Sequence, residues 1–522
     1  MSRSPVSTQW FCVLLLAASS AFAQIQTANP DSALQLILES IQGTPLSLHD
    51  AVQSALSNAT SVRTAEAAYV AAQGSRRREA GYFDPELFFT FNRFDGKTPT
   101  ATFFAGAPVL TTRQDSLNGS LRWTLPTGTS LSLSLNTIKL ETNSSFASLN
   151  PQYTSFGFAA VRQSLLGGFI VSARKNLERA DQGQQAAKAR YDQEVLATGT
   201  LVEQSYWDLY AAERDYAVQK LTRDRAEVFL KDTETRARAG LIGPNQVANA
   251  RTFLAEQEIF LLDREELLDR LSDQVASLIG KRPEAGMTRF ISVDDPPAEF
   301  PEEQPEKLVE EAVEKNLTLQ AAQADIEAQR ALADAAFWEA LPQVDFVGSL
   351  GGNGLTGVPQ DVFFNGQPLP RSTRSGSLGD ALRSAVKREF PTWSVGIQVS
   401  VPIGLRSGLG ELERLEAEVA IVEQRRIQLA RVLEEQVRSS YRELFNGTRR
   451  LTAAREGVAA AQEQVRIGLI EFRNGRTTAF ELVRLSADFA VAQQRYSIAL
   501  VRGAKAAANL RQLTSGAYPP AQ

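Results

Sequence analysis

Few residues in this 522-residue chain are placed to do chemistry. His49 is the single histidine; it sits beside Asp50 at the start of a helical stretch. With no cysteine or second histidine near it, it reads as a solvated helix N-terminus rather than a ligand or base. Asp294-Asp295 is a carboxylate pair of the kind that binds calcium or moves protons. It precedes Pro296-Pro297 between two halves of the chain, where a solvated connector is expected. Gly351–Gly354 ("GGNG") follows an alternating stretch, but neither a Walker lysine nor dinucleotide-binding spacing accompanies it, so a loop between strands is expected. Arg76-Arg77-Arg78 has the charge to touch phosphate, yet near an exposed helix end its default is a solvated or intersubunit face. No catalytic set, metal cluster or cofactor motif emerges, so no enzyme activity and no cofactor are expected.

The elements that hold these residues carry more information. Residues 1–23 combine Arg3, an apolar run from Trp10 to Ala18 and Ala21-Phe22-Ala23. A positive start, a short apolar core and small residues at the end make a secretory signal peptide cut after Ala23. The run is too short for a membrane anchor. The sole cysteine, Cys12, lies inside it, so the exported chain has no disulfide and no thiolate chemistry. The formal charge is −5, with acids and bases interspersed, which gives nucleic-acid binding no support. No later stretch approaches twenty apolar residues. An exported chain of this kind is either soluble or crosses a membrane as a β-barrel.

Beyond a 24–45 N-terminal segment, one pattern is told twice. The first repeat covers 46–285 and the second 305–515, joined by a 286–304 linker and followed by a 516–522 tail. Each repeat opens with a helix, near Ser47 and near Pro305; Asn58 falls on Asn316, and Asp84-Pro85 on Leu341-Pro342. Proline then stops the helix. Alternating sequence follows, about 86–165 and about 343–402. It is plainest where Trp393, Val395, Ile397, Val399 and Val401 interleave with Ser394, Gly396, Gln398 and Ser400. Period two means half-buried strands. Long loops are expected at Asp95–Ser116 and Gly351–Pro391. After each strand group comes a helix of about 100 Å, from about Ser172 to Ala239 and from about Gly410 to Asn474. Each turns at a glycine and returns as a shorter helix, to about Ile279 and about Leu513. Narrow apolar stripes (Leu201, Trp207, Leu209, Tyr210; Leu429, Val432, Leu433, Val437) suit packing between neighbouring rods.

Four to six strands cannot close a barrel, for which about eight is the practical minimum. An open edge in lipid leaves backbone groups unpaired at several kcal/mol each. Several copies must therefore pool strands, and three copies of four give twelve. Whether the hairpin around "WTLPTGTSLSLSLN" (Trp123–Asn136) makes the set six is left open. The same pooling gathers the long helices into a hollow cylinder with its turns at the far end. The fold class expected is mainly α with transmembrane β: an α-helical barrel continued by a trimeric outer-membrane β-barrel. Two rivals are an envelope-spanning coiled-coil adhesin without a pore and a periplasmic hydrolase.

The duplicated halves, "RQSLLGG" (Arg162–Gly168) and "QVSVPIG" (Gln398–Gly404) before the long helices, and the turns "RAGLIGPNQVANAR" (Arg238–Arg251) and "RNGRTTAFELVRLS" (Arg473–Ser486) resemble the TolC-type outer-membrane efflux proteins. The resemblance covers essentially everything after the signal peptide. It implies a passive homotrimer in the outer membrane of a Gram-negative cell, extending into the periplasm. Its partners would be a periplasmic membrane-fusion adaptor, an inner-membrane pump or ABC transporter, and outer-membrane lipid. It also implies site residues. Gly240, Leu241, Gly243, Asn245 and Gln246 on the first tip, with Gly475, Arg476 and Thr477 on the second, would form the gate and adaptor contact. Polar links holding the tips closed would run from Asn245 and Gln246 to Arg476 and Thr477. Glu481 would ring the pore entrance, and Arg484 stands where a second acid is expected, which implies a weaker cation preference. The exported substrate, the pump class and the gate strength stay open.

Overall fold

A computed structural model describes residues 30–516 apart from 298, 302 and 365; the expected signal peptide with Cys12 and the end of the tail lie outside the described residues. The helices are α1 (Pro30–Glu39), α2 (Leu48–Asn58), α3 (Thr60–Gly81), α4 (Ile170–Arg238), α5 (Pro244–Ile279), α6 (Pro305–Lys315), α7 (Leu317–Glu339), α8 (Leu378–Val386), α9 (Arg406–Arg473) and α10 (Ala479–Leu513). The strands are β1 (Thr44–Leu46), β2 (Glu86–Pro99), β3 (Val109–Thr124), β4 (Thr129–Thr142), β5 (Leu149–Leu166), β6 (Phe290–Ser292), β7 (Gln343–Pro359), β8 (Phe363–Phe364), β9 (Gln367–Pro368) and β10 (Phe390–Ser400). The expected long helices are present, at 69 residues for α4 and 68 for α9. The chain divides into two compact units, and each draws on both repeats.

Of the described residues, one unit comprises 30–66, 190–319 and 429–516. Its packing repeats the sequence duplication. Ala51 and Ala55 of α2 are buried with Tyr206 and Leu209 of α4 and with Leu268, Val275 and Ile279 of α5. In the second set Leu308 and Ala312 of α6 meet Leu433 and Val437 of α9 and Ala506, Ala507 and Leu510 of α10. The last carbonyls of a helix have no partner within it. Here the matched asparagines supply one: Asn58 Nδ2 donates to the Ile279 carbonyl at 3.2 Å, and Asn316 Nδ2 to the Leu513 carbonyl at 2.9 Å.

The opening helix of each repeat is broken where a single rod was expected. Ala59 (φ −59°, ψ 129°) separates α2 from α3, and Asn316 (φ −63°, ψ 123°) separates α6 from α7. One extended residue turns the chain without disturbing the apolar spacing on either side, so periodicity does not register it. The linker also holds more than connector, because β6 pairs in parallel with β1.

Ala67–Ala189 and Gln320–Gln428 form the other unit. Its centre is an antiparallel sheet of six strands in the order β2-β3-β4-β5-β7-β10. The hairpin left open from sequence thus pairs into the sheet. The register carries one face from edge to edge: Leu87, Leu121, Leu133, Ala159, Leu350 and Trp393 lie in a single row. Phe89 and Trp393, on the two edge strands, are 77% and 72% exposed. The opposite face carries Ser120, Ser134, Ser349 and Ser394 with Asn118 and Asn136. On that polar face Asp345 is buried and accepts from Arg162 (2.5 Å) and from the Ser164 hydroxyl (2.8 Å).

Two loop expectations are corrected. Asp95–Pro99 and Val109–Ser116 are strand, which leaves a loop of nine residues between them. Gly351–Gly354 lies within β7 rather than in a loop. Its glycines serve close approach: a Cβ at Gly352 or Gly354 would collide with the main chain of Ala385 or Ala381, so their absence lets α8 lie directly on the sheet.

Candidate functional site

The two tips are built alike. At the end of α4, Gly240 (φ +73°) donates from its N–H to the Ala237 carbonyl at 3.0 Å, and the Leu241 N–H reaches the Arg236 carbonyl at 3.0 Å. At the end of α9, Gly475 (φ +69°) donates to Phe472 at 3.0 Å, and Arg476 to Glu471 at 2.9 Å. This paired bonding around a left-handed residue is the Schellman ending, which glycine adopts without a Cβ clash. Each chain then restarts three residues on. Gly243 caps α5 ahead of Pro244, whose fixed φ suits a first helical position. Thr478 caps α10, its hydroxyl accepting from the Glu481 N–H at 3.3 Å. Between the glycine and the cap lie Leu241-Ile242 in one tip and Arg476-Thr477 in the other. Leu241 and Arg476 are exposed, as are Asn245 and Gly475, while Gln246 and Thr477 are half-buried.

Thr478 and Glu481 have the spacing of a reciprocal capping box. The carboxylate does not turn back, however; it accepts from Arg484 at 2.6 Å. Glu481 and Arg484 therefore form an exposed ion pair in the first turn of α10, and the acid does not present a lone charge.

Among the described residues no hydrogen bond joins Asn245 or Gln246 to Arg476 or Thr477. The contact that joins the two hairpins lies just inside the tips. Arg236 stacks over the Phe472 ring at 4.5 Å and donates to the Phe472 carbonyl at 3.3 Å, while Asp232 holds it at 2.9 Å. Phe229 meets Phe472 at 5.6 Å, and Leu482 closes the cluster. Further from the tips a cleft of about 950 Å³ opens among Arg225, Phe253, Leu469 and Phe489. Arg225 lies over the Phe489 ring at 5.6 Å, and burial lowers its pKa. Sequence reading missed this clasp, although Phe472 stands three residues before the tip glycine.

The remaining chemical candidates have structural partners. Asp294 is no solvated connector: its carboxylate accepts from the Leu48 N–H at 2.6 Å, capping α2, and meets the Tyr206 hydroxyl at 3.1 Å. Burial raises the Tyr206 pKa. Asp295 accepts from Tyr210 at 2.7 Å, and Tyr210 is pushed up to about 12, chiefly by burial. These partners lie more than eighty residues away in sequence, which is why local reading did not find them. His49 is exposed in the first turn of α2, as expected. Arg76 pairs with Asp181 at 2.5 Å and Arg78 with Glu79 at 2.7 Å. Among the described residues no group of three or more His, Cys, Asp or Glu is placed to hold a metal.

With this geometry in hand, the similarities are specific. The family model described as outer membrane efflux protein matches residues 308–516. No curated protein sequence matches significantly. Among solved structures, the outer-membrane channel OprN is 18% identical with a TM-score of 0.63, the alignment covering 91% of each chain. The Campylobacter jejuni CmeC outer membrane channel is 12% identical with a TM-score of 0.62, covering 91% of this chain and 87% of that one. The outer membrane protein VceC from Vibrio cholerae is 14% identical with a TM-score of 0.61, covering 90% of this chain and 97% of that one. The chain shares the fold of these channels, helical hairpins and antiparallel strands included, and its residues 308–516 match the outer membrane efflux protein family.

Proposed function

We propose that this chain is a passive channel-tunnel of the outer membrane. Three copies pool their strands into one membrane barrel and their helical hairpins into a tunnel through the periplasm. It exports small toxic molecules or proteins that an inner-membrane pump or ABC transporter loads, with a periplasmic adaptor gripping the tips around Leu241 and Arg476. The observation that carries the reading is the six-stranded sheet. Among the described residues it exposes an apolar face, keeps a polar face behind it and ends in two unpaired edges at β2 and β10. In lipid such edges are stable only when paired. In water the apolar face is a liability. Joining copies edge to edge answers both constraints, and it leaves the polar faces around a lumen.

The test is conductance together with mass. The purified mature chain should need detergent, run as a trimer by native mass spectrometry and open discrete channels in planar bilayers. A detergent-free soluble particle, or a non-conducting monomer, overturns the proposal.

A further inference from the structure

The β3–β4 hairpin has every mark of a wall element. It is in register for fourteen residue pairs with β2, thirteen across its own turn and twelve with β5. Over Ser116–Trp123 and Ser130–Asn136 its two faces sort cleanly, whereas farther from the turn Arg113, Asp115, Lys139 and Glu141 fall on the leucine side. Leu117, Gly119, Leu121 and Trp123 alternate with Ser116, Asn118, Ser120 and Arg122. Leu131, Leu133 and Leu135 alternate with Ser130, Ser132, Ser134 and Asn136. The leucines continue the exposed apolar rows of β2 and β10, and the serines and asparagines continue the polar face. A soluble flap has no need of a leucine face matched row by row to its neighbours.

Resting on the trimer reading above, we propose that this hairpin lies in the membrane wall, so that three copies close a barrel of eighteen strands around a wide, serine- and asparagine-lined exit. Strands about 4.8 Å apart and tilted about 40° give a backbone radius of roughly 18 Å for eighteen strands and roughly 12 Å for twelve. Barrels of sixteen to eighteen strands leave an aqueous channel. The polar lining and the added width suit bulky hydrophilic cargo. Small apolar molecules gain nothing from either.

Two spin-label measurements on the detergent-solubilised trimer, then on the trimer in liposomes, test this. A label at Ser349→Cys sits on the polar face of β7, which lies in the wall whether or not the hairpin does. Once the inward reach of each label is subtracted, three-fold related backbone positions should be about 30 Å apart for eighteen strands and about 20 Å for twelve. Labels at Leu133→Cys and Ser132→Cys should be relaxed by lipid-soluble oxygen and by a water-soluble nickel chelate, respectively. A separation near 20 Å, or a Leu133 label reached by nickel as readily as Ser132, overturns the eighteen-stranded wall while leaving a trimeric channel intact. Absence of any inter-label distance removes the trimer itself, and both proposals fall together.

Discussion

Glu213 of α4 offers a pH-dependent test of how the duplicated helical unit holds together. Its side chain is buried; it accepts the Ser292 N–H at 2.8 Å and the Ser292 hydroxyl at 2.6 Å, pinning β6 and through it the β1–β6 pair. Desolvation raises its pKa to about 7 from 4.5, against the lowering effect of the two Ser292 bonds. The folded state therefore keeps a proton that the unfolded segment gives up. Stability from this group is fully present below pH 4.5 and falls as pH rises through about 7, since the native side binds more protons in that window. Integrating between pH 5 and pH 8 gives a loss of about 2.5 kcal/mol, roughly a 70-fold change in an opening equilibrium. Glu213→Gln keeps an acceptor for the Ser292 amide and has no charge to desolvate. Hydrogen exchange of the peptide spanning Arg289–Asp294, corrected for intrinsic rate, reads this locally in the intact protein. From pH 5 to pH 8 wild-type protection should drop by up to about 70-fold more than the variant's. Asp215, pushed up to about 6 mainly by burial, titrates in both proteins and cancels in the comparison. The same pH slope in wild type and variant would refute the assignment.

Other consequences are open to direct measurement. Asn58→Ala strands a helix-end carbonyl and should cost about 1 kcal/mol in thermal or denaturant unfolding, whereas Asn316→Ala also removes the acceptor of the Thr318 and Leu319 amides and should cost about 2 kcal/mol. Arg484→Gln should strengthen cation preference in single-channel reversal potentials by freeing Glu481, and Glu481→Gln should abolish the gain; unchanged selectivity in Arg484→Gln removes Glu481 from the pore. Arg236→Ala deletes both the stacking over Phe472 and the bond to its carbonyl, so hairpin coupling should weaken by about 1 kcal/mol and channel conductance at rest should rise. Gly354→Val should dislodge α8 from β7 and speed proteolysis around Leu378–Val386; unaltered cleavage means that the helix is held elsewhere.

How much of this was written legibly depends on the range of the interaction. The tip glycines were readable because a left-handed helix ending is a local demand that Gly240 and Gly475 meet alone. Both returns end at Ile279 and Leu513, where the apolar period stops. The strands of β10 and β4 showed themselves by alternation. The first half of β3 did not, because "TTRQDS" has no apolar face; its extended form is imposed by the partners on both sides. Gly351–Gly354 misled for a related reason: glycine there answers to α8 pressing on the sheet, which no local pattern encodes. Asp294 looked like a connector because Leu48 and Tyr206 are distant in sequence. At the tips, the Glu481–Arg484 spacing is legible as a helical pair, whereas the Arg236–Phe472 clasp joins two hairpins far apart in sequence and leaves no local pattern.

The six-stranded sheet also shows how a duplicated chain can widen without being rebuilt. The first repeat supplies β2 to β5 and the second only β7 and β10, so the repeats differ by one hairpin. In an up-and-down sheet, β2 enters from α3 and β5 leaves into α4, so both ends of the set must face the helices. Any insertion between them has to be an even number of strands, or the chain would exit on the wrong side. A single hairpin is the smallest addition that satisfies this. It leaves β2 and β10 as the edges, so the strands that would join neighbouring copies in the proposed trimer are untouched, and the added residues need only obey the alternation already present. The helical hairpins with their clasp and caps carry no corresponding insertion. In the proposed assembly barrel width is thus a dimension that can change while the two repeats keep their matched packing.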